Sequence, residues 1–133
     1  MKKSINKKWL GLGIGCIVIL ILISMTSCDS GKIKQVTGGY LKNHPNVTVG
    51  EVFNEYIGDE EWSYVEEDGI EKVKVAGDIM YLDEESYAEV TFKLNKDDTF
   101  RVISLKVDGE PMNAFMLSCF IEDVYSEYNN NNL

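Results

Sequence analysis

The first 28 residues constrain this chain most, because their composition separates them from the part that can fold. Four lysines, at positions 2, 3, 7 and 8, precede an apolar run over residues 9–25 that only glycines, Cys16 and Ser24 interrupt. The core of this run, residues 10–23, has the length of the hydrophobic region of an export signal. It is shorter than the roughly 20 residues that a membrane-spanning helix needs. Because positive charge stays on the cytoplasmic side, the sequence predicts that the remaining chain is exported.

The end of the apolar run adds a possible attachment site. Its last residues, Met25-Thr26-Ser27-Cys28, resemble the lipobox of bacterial lipoproteins, in which a cysteine follows small residues and an aliphatic one. Met25 stands where leucine is more usual. The resemblance implies cleavage before Cys28 and diacylation of its sulfur, which makes residues 1–27 a signal peptide. The alternative is an uncleaved signal anchor, which leaves the domain on the same side of the membrane.

A lipid on Cys28 predicts how the mature protein is held. Two acyl chains such as palmitate anchor a protein stably, whereas one chain gives only marginal membrane binding. We therefore expect the lipid bilayer to be the first partner of this chain, through diacylated Cys28. The expected location is the extracytoplasmic face of the cell membrane, without a spanning helix.

The charge of the exported part excludes one class of partner. The full chain has 13 basic and 22 acidic residues, and removal of the four leader lysines leaves 9 against 22, a net charge of −13. Nucleic-acid binding depends on Lys and Arg that neutralise phosphates, so no nucleic-acid partner is expected. Roughly 100 mature residues are enough for one domain with one core.

The mature chain is predicted to have three parts. Residues 28–46 form a lipidated N-terminus and a glycine-containing tether, residues 47–128 an α+β domain, and residues 129–133 a disordered tail. Thr48 and Glu51 match a capping box, which predicts an N-terminal helix over residues 49–57.

The middle of the domain is predicted to form a β-sheet. Four segments with alternating apolar residues and short connections predict a four-stranded antiparallel meander, since parallel strands need long crossovers. Gly77 indicates a bulge in the second strand, and a shift of parity at Val102-Ile103 predicts a bulge or a bend in the fourth. The predicted class is therefore α+β, with an N-terminal helix, the meander and a C-terminal helix packed on one face of the sheet.

The C-terminal helix is predicted over residues 111–128. Apolar residues at helical spacing define its expected buried stripe. They are Met112, Phe115, Met116, Cys119, Phe120 and Val124. On this stripe Cys119 is expected to be a small buried hydrophobe and not a reactive thiol.

The sequence offers no set of residues for catalysis or for a metal or cofactor. His44 is the only histidine, and beside Pro45 it is expected to be a solvated loop residue. The acidic clusters lie in predicted turns and lack the order of a calcium-binding loop. No enzyme activity, metal or cofactor is predicted.

Several residues of the mature chain carry a second resemblance. They are Tyr40-Leu41, Pro45, Thr48-Val49-Gly50, Phe53, Trp62 and Asp108-Gly109. Their pattern is similar to a small extracytoplasmic domain of unknown function, found in bacterial lipoproteins and in membrane proteins with N-terminal zinc ribbons. The resemblance implies no catalytic residue, and this chain lacks the zinc-ribbon part.

Three roles fit this sequence. A sheet with helices on one face leaves its other face or an edge free for an envelope protein partner. Tyr64, Tyr81 and Tyr87 are the candidate residues of that partner face. The alternative is a small-ligand or cation-binding domain that uses the cleft between sheet and helices, and a spacer at the membrane surface is a third possibility.

Overall fold

The computed structural model describes residues 26–133, with side chains from Ser30 onward. The predicted leader up to Met25 and the side chains of Thr26, Ser27 and Cys28 lie outside the described residues. Three helices and five strands follow in chain order. They are α1 (Thr26–Thr37), α2 (Val49–Tyr56), β1 (Gly58–Glu67), β2 (Ile70–Tyr81), β3 (Glu84–Leu94), β4 (Phe100–Val107), β5 (Glu110–Pro111) and α3 (Ala114–Asn131).

The strands form one antiparallel sheet in the order β1-β2-β3-β4-β5, so that each strand pairs with its neighbour in the chain. The predicted α+β class, with an antiparallel meander and a C-terminal helix, is confirmed. The sheet has a fifth strand that the sequence did not predict. It pairs with Lys106 and Val107 through only two residues, and one of these is Pro111, so no alternating pattern marks it.

One face of the sheet is buried under the helices. Val73, Val75, Val90 and Phe92 of the two central strands are fully buried and belong to the main core cluster. Buried residues of α1, α2 and α3 belong to the same cluster, which places all three helices on this face. We call it the covered face, and the other side the open face.

The predicted capping box is present at the start of α2. The backbone N–H of Glu51 donates to Thr48 Oγ1 at 3.3 Å, and the N–H of Thr48 donates to Glu51 Oε1 at 3.2 Å. These bonds satisfy amide groups that have no partner inside the helix. The helix then buries Val52 and Phe53 completely in the core.

A helix, α1, occupies a segment that the sequence predicted to be a flexible tether. Ile33 and Val36 lie three positions apart on one side of this helix, and Val36 is 0% exposed in the core. Lys32 Nζ reaches Glu71 Oε1 of β2 at 3.0 Å. The tether was predicted from the glycines and polar residues of the segment. In the structure, the burial of Val36 and the Lys32–Glu71 ion pair hold α1 on the domain.

The apolar stripe of α3 differs from the predicted one. Phe120, Ile121, Val124 and Tyr125 are buried, whereas Phe115 is 72% exposed and the free thiol of Cys119 is exposed. The helix has apolar residues on more than one side, and its packing against α2 and β4 decides which side is covered. The prediction of a buried Cys119 is therefore wrong.

The helix also continues past its predicted end at residue 128, into residues expected to be a disordered tail. Its C-cap residue Asn132 donates from Nδ2 to Glu55 Oε2 of α2 at 3.2 Å and to the Tyr128 carbonyl at 2.8 Å. These two bonds tie the end of α3 to α2.

The two predicted bulges have different outcomes. In β4, Thr91 pairs with Ser104 and Phe92 with Val102, so that Ile103 is the extra residue and this bulge is confirmed. In β2 the register with β3 is continuous through Gly77, and the irregularity lies in β1 between Gly58 and Glu61.

The reason for glycine at position 77 is close approach of the chain. A Cβ built there would lie 2.5 Å from the carbonyl oxygen of Gly58 and would collide with the side chain of Ile57. The start of β1 can cross β2 this closely only because position 77 has no side chain.

We expect Gly77→Ala to lower the free energy of unfolding by about 1–3 kcal/mol, the usual cost of extra atoms in a packed site. Gly31→Ala in α1 is the control, because its Cβ would meet nothing within 4 Å and alanine favours a helix by roughly 0.5–1 kcal/mol. Urea denaturation followed by tryptophan fluorescence measures both variants. Equal stability of the two would contradict the close approach at Gly77.

Two tyrosine hydroxyls of the helical layer differ in their bonding. Tyr56 donates to Asp123 Oδ2 at 2.7 Å. The hydroxyl of Tyr125 is buried and finds no hydrogen-bond partner among the described residues. Burial, followed by the charge of Glu122, raises the pKa of Tyr125 to about 12.

We expect Tyr125→Phe to raise the free energy of unfolding by roughly 0.5–2 kcal/mol, because it removes a buried polar group without a partner. Tyr56→Phe should lower it by about 1 kcal/mol through the lost hydrogen bond. Because the pKa of Tyr125 is 10.0 when unperturbed and about 12 in the fold, the fold favours the neutral hydroxyl over the phenolate. Ionisation of Tyr125 therefore leaves stability unchanged below pH 10 and lowers it as the pH rises towards 12. Urea denaturation across this range should show a smaller alkaline loss for Tyr125→Phe, and an unchanged slope would contradict the assignment.

Candidate functional site

The three tyrosines predicted to form a partner face do not share one surface. Tyr64 pairs with Val73 on the covered face, and Tyr81 has the same parity in β2. Both are partly buried against the core. Tyr87 pairs with Asp78 on the open face and is 49% exposed. Of the three rings, only Tyr87 therefore lies on the open face. The strand register overturns the prediction that the three share one face.

Tyr87 lies beside a groove at one end of the sheet. There β1 begins at Gly58, opposite Asp78, whereas β2 continues to Tyr81 without a partner on its outer side. The β2–β3 hairpin thus projects past β1 and leaves a concavity of about 460 Å³. We call it the hairpin groove. It is lined by Glu55, Tyr56, Gly58, Asp78, Ile79, Met80, Glu85, Ser86, Tyr87 and Asp108.

The hairpin groove is strongly negative. Four of its lining residues are carboxylates, namely Glu55, Asp78, Glu85 and Asp108, and none is Lys, Arg or His. Burial raises the pKa of the Tyr87 hydroxyl, and the neighbouring charges of Glu61, Glu89 and Asp78 raise it further. The tyrosine therefore stays neutral, and the groove presents carboxylate oxygens without a compensating cation.

Asp108 supplies one of the carboxylates of this groove and also fixes the backbone of its wall. Its Oδ1 accepts from the backbone N–H of Tyr87 at 2.8 Å, and its own N–H donates to the Tyr87 carbonyl at 2.7 Å. The two bonds join the end of β4 to β3. They hold the backbone of Tyr87 in place while its ring remains half-exposed.

The tip of the hairpin exposes large apolar side chains. Met80 is 61% exposed and Leu82 is 80% exposed. Tyr81 pairs with Glu84, which leaves Leu82-Asp83 as a two-residue turn with φ values of 53° and 66°. Such turns favour Asn-Gly, because a side chain at positive φ costs roughly 1–2 kcal/mol. A bulky leucine in this conformation combines backbone strain with an exposed apolar surface, and strain of this kind clusters at functional sites.

Sequence reasoning missed Met80 and Leu82 because it treated their segment as part of the second strand of the meander. The one signal in the sequence was the short connection between the second and third strands. A two-residue turn places Leu82 at the tip, where no neighbouring strand can cover it. However, the limits of this turn are set by the pairing of Tyr81 with Glu84, which depends on the tertiary structure and was not evident from composition.

His44 is not the solvated loop residue that the sequence predicted. Its ring stacks on Tyr125 with centroids 3.9 Å apart and planes inclined by 14°. Its Nε2 lies 3.1 Å from Glu122 Oε2. In the described part of the chain, His44 makes no hydrogen bond to a serine, threonine or cysteine, which an activated nucleophile would require.

A second concavity lies between the sheet and α3, the position considered for a small ligand or cation. Its polar lining includes Lys42, His44 and Arg101 but only one carboxylate, Glu122. This balance of charge does not favour a cation. Among residues 30–133, no group of three or more His, Cys, Asp or Glu side chains is arranged to hold a metal ion.

The membrane expectation rests on the leader up to Met25 and on the side chain of Cys28, which lie outside the described part of the chain. Among the helices of residues 26–133, none has the length and apolar character that crossing a bilayer requires.

No protein-family model, curated protein or solved structure matches this chain. The resemblances drawn from the lipobox and from the domain pattern therefore stay predictions.

Proposed function

We propose that this chain is a membrane-anchored bacterial lipoprotein and that its acidic domain is a non-catalytic binding module on the extracytoplasmic face of the cell membrane. In this proposal the bilayer holds diacylated Cys28, and the hairpin groove binds a positively charged segment of an envelope protein. Neither a cofactor nor a nucleic acid takes part.

The observation that carries the binding role is the combination of charge and apolar exposure in the hairpin groove. Four carboxylates line a concavity without a lining cation. Met80, which also lines it, is exposed, and Leu82 is exposed in the turn of the same hairpin. Lysine or arginine side chains complement the carboxylates, while an apolar side chain covers Met80 or Leu82. Complementary charge speeds encounter and selects the partner, and apolar burial supplies affinity.

The spread of the carboxylates favours a peptide segment over a single ion. They come from four separate places: α2, β2, β3 and the turn after β4. A bound ion needs several oxygens that converge on one point. A segment with several cations can instead meet carboxylates that are distributed along a groove.

In the proposed architecture the N-terminal helix α2 opens the binding domain, four long strands form its meander, and α3 covers one face. Cys28 precedes the buried Val36 by eight residues, or about 12 Å of helix at 1.5 Å per residue. This short distance supports a domain that stays close to the bilayer surface.

We expect Cys28→Ser to abolish lipid attachment and cleavage of the leader, because only a thiol in the lipobox position can be acylated. Cys16→Ser is the matched control and should be processed normally. Metabolic labelling with an alkyne palmitate analogue and the intact mass of each protein measure both events. A labelled Cys28→Ser protein, or an unmodified wild-type thiol at this position, would refute the lipoprotein assignment.

We expect the full-length protein in detergent micelles to bind a lysine-rich heptapeptide with one central leucine, through the hairpin groove. Binding should shift the methyl NMR signal of Met80 and leave those of Met112 and Met116 in place, since these two flank and belong to α3. A matched heptapeptide with glutamate in place of lysine should produce no shift.

Paired variants test whether the groove carboxylates cause this binding. Asp78→Asn combined with Glu85→Gln should weaken the lysine peptide about tenfold or more, since each charged contact contributes roughly 1 kcal/mol. Glu66→Gln combined with Asp98→Asn removes the same charge at the opposite end of the sheet and should change affinity by less than about threefold through screened, long-range effects. An equal loss in both pairs would show that net charge alone drives binding and would overturn the site.

A further inference from the structure

A second cleft lies at the far edge of the sheet from β1, between β4 and α3. We call it the edge cleft. It measures about 360 Å³, within the range of clefts that accept a ligand group. It is lined by Leu41, Lys42, Asn43, His44, Phe100, Arg101, Val102, Ala114, Leu117, Ser118, Ile121 and Glu122.

One wall of the edge cleft is an unpaired strand edge. The fifth strand pairs only with Lys106 and Val107. In the described chain no strand pairs with the outer edge of β4 over residues 100–104, and no backbone hydrogen bond outside the ladders reaches this stretch. A strand edge of this kind offers N–H and C=O groups to an added strand.

The floor of the edge cleft is apolar. Val102 of β4 lines it, together with Leu117 and Ile121 of α3 and with Leu41. The spacing of Leu117 and Ile121 by one helical turn places them on the same side of α3. Together they form a socket for one aliphatic side chain.

The rim of the edge cleft is positive, in a chain whose formal net charge is −9. Glu122 is the one lining carboxylate, and His44 Nε2 engages it at 3.1 Å. Lys42 and Arg101 form no ion pair with any described residue. The edge cleft therefore has two cationic side chains, Lys42 and Arg101, that are in no ion pair, while its one carboxylate already contacts His44.

We propose that the edge cleft binds an extended acidic segment of a partner protein, which adds to the sheet beside β4. Its main chain bonds to the free edge over residues 100–102, before the bulge at Ile103, an aliphatic side chain fills the socket, and a carboxylate meets Arg101 or Lys42. Strand addition of this kind obtains affinity from main-chain bonds and specificity from alternate side chains.

The register of β4 predicts the pattern of the bound segment. Phe100 and Val102 face the covered side, and Arg101 between them belongs to the open-face row that includes Lys93. In an added strand, successive side chains also alternate. The aliphatic residue on the covered side is therefore followed directly by an acidic residue on the side of Arg101. This occupant is opposite in charge to that proposed for the hairpin groove, and the site does not depend on the groove.

The test uses the full-length protein in detergent micelles and a fluorescein-labelled heptapeptide in which valine and glutamate alternate. Fluorescence anisotropy should show saturable binding. A peptide with serine in place of valine, and one with lysine in place of glutamate, should each bind at least about tenfold more weakly. A third peptide, N-methylated at alternate amides, keeps every side chain and loses the main-chain bonds, so it should also bind at least about tenfold more weakly.

Variants of the protein complete the test. Arg101→Gln should weaken the valine–glutamate peptide about tenfold, which corresponds to roughly 1.4 kcal/mol. Lys106→Gln is the matched control, since Lys106 lies on the same strand where β5 already covers the edge, and its affinity should stay within about threefold of wild type. The paired Asp78→Asn and Glu85→Gln variant should bind this peptide as well as wild type does, which separates the edge cleft from the hairpin groove.

Three outcomes would overturn the proposal. Equal binding of the N-methylated peptide would exclude strand addition. Equal losses for Arg101→Gln and Lys106→Gln would reduce the effect to net charge. Sedimentation velocity that showed a dimer of the protein alone, dissociated by Arg101→Gln, would assign this edge to a second copy of the chain.

Discussion

The structure depends on burial of one sheet face around the ring of Phe92. This side chain is fully buried, and its centroid lies 5.7 Å from that of Phe53 in α2 and about 6.1 Å from those of Trp62 and Phe100. The contacts join a helix to three different strands. Two of these pairs are edge-to-face and the pair with Trp62 is stacked, and aromatic pairs of either geometry add roughly 0.5–1.5 kcal/mol each beyond the area they bury. The helices must therefore lie on the side of Phe92.

Covering one face decides where the domain can bind anything. The core occupies the space between helices and sheet, so the candidate sites lie where the two layers end. The hairpin groove lies where β2 and β3 project beyond β1, and the edge cleft lies where β4 extends beyond β5. Both sites arise because neighbouring strands differ in length. Their charges are opposite, which makes a single class of partner for both sites physically inconsistent.

The sequence predicted the local features of the fold well. The capping box of Thr48 and Glu51, the alternation of the long strands and the bulge at Ile103 are all present. Each of these depends on residues that are close together in the chain, so its pattern is readable without the fold. The predictions were wrong where a segment could bury more than one set of its residues. The apolar residues of α3 allowed two stripes, and the few apolar residues of α1 did not reveal that Val36 is buried.

For the candidate site, the sequence alone determined that the domain is acidic, that its sheet is antiparallel and that carboxylates gather in its turns. Which carboxylates share a groove, which tyrosine stays exposed and which cations lack a partner were decided only by the tertiary structure. The physical reason is that strand register and the choice of the covered face are set by long-range packing. A shift of one residue in pairing moves every side chain of a strand to the other face. His44 illustrates this limit, since its stacking on Tyr125 and its bond to Glu122 join residues about 80 positions apart in the chain.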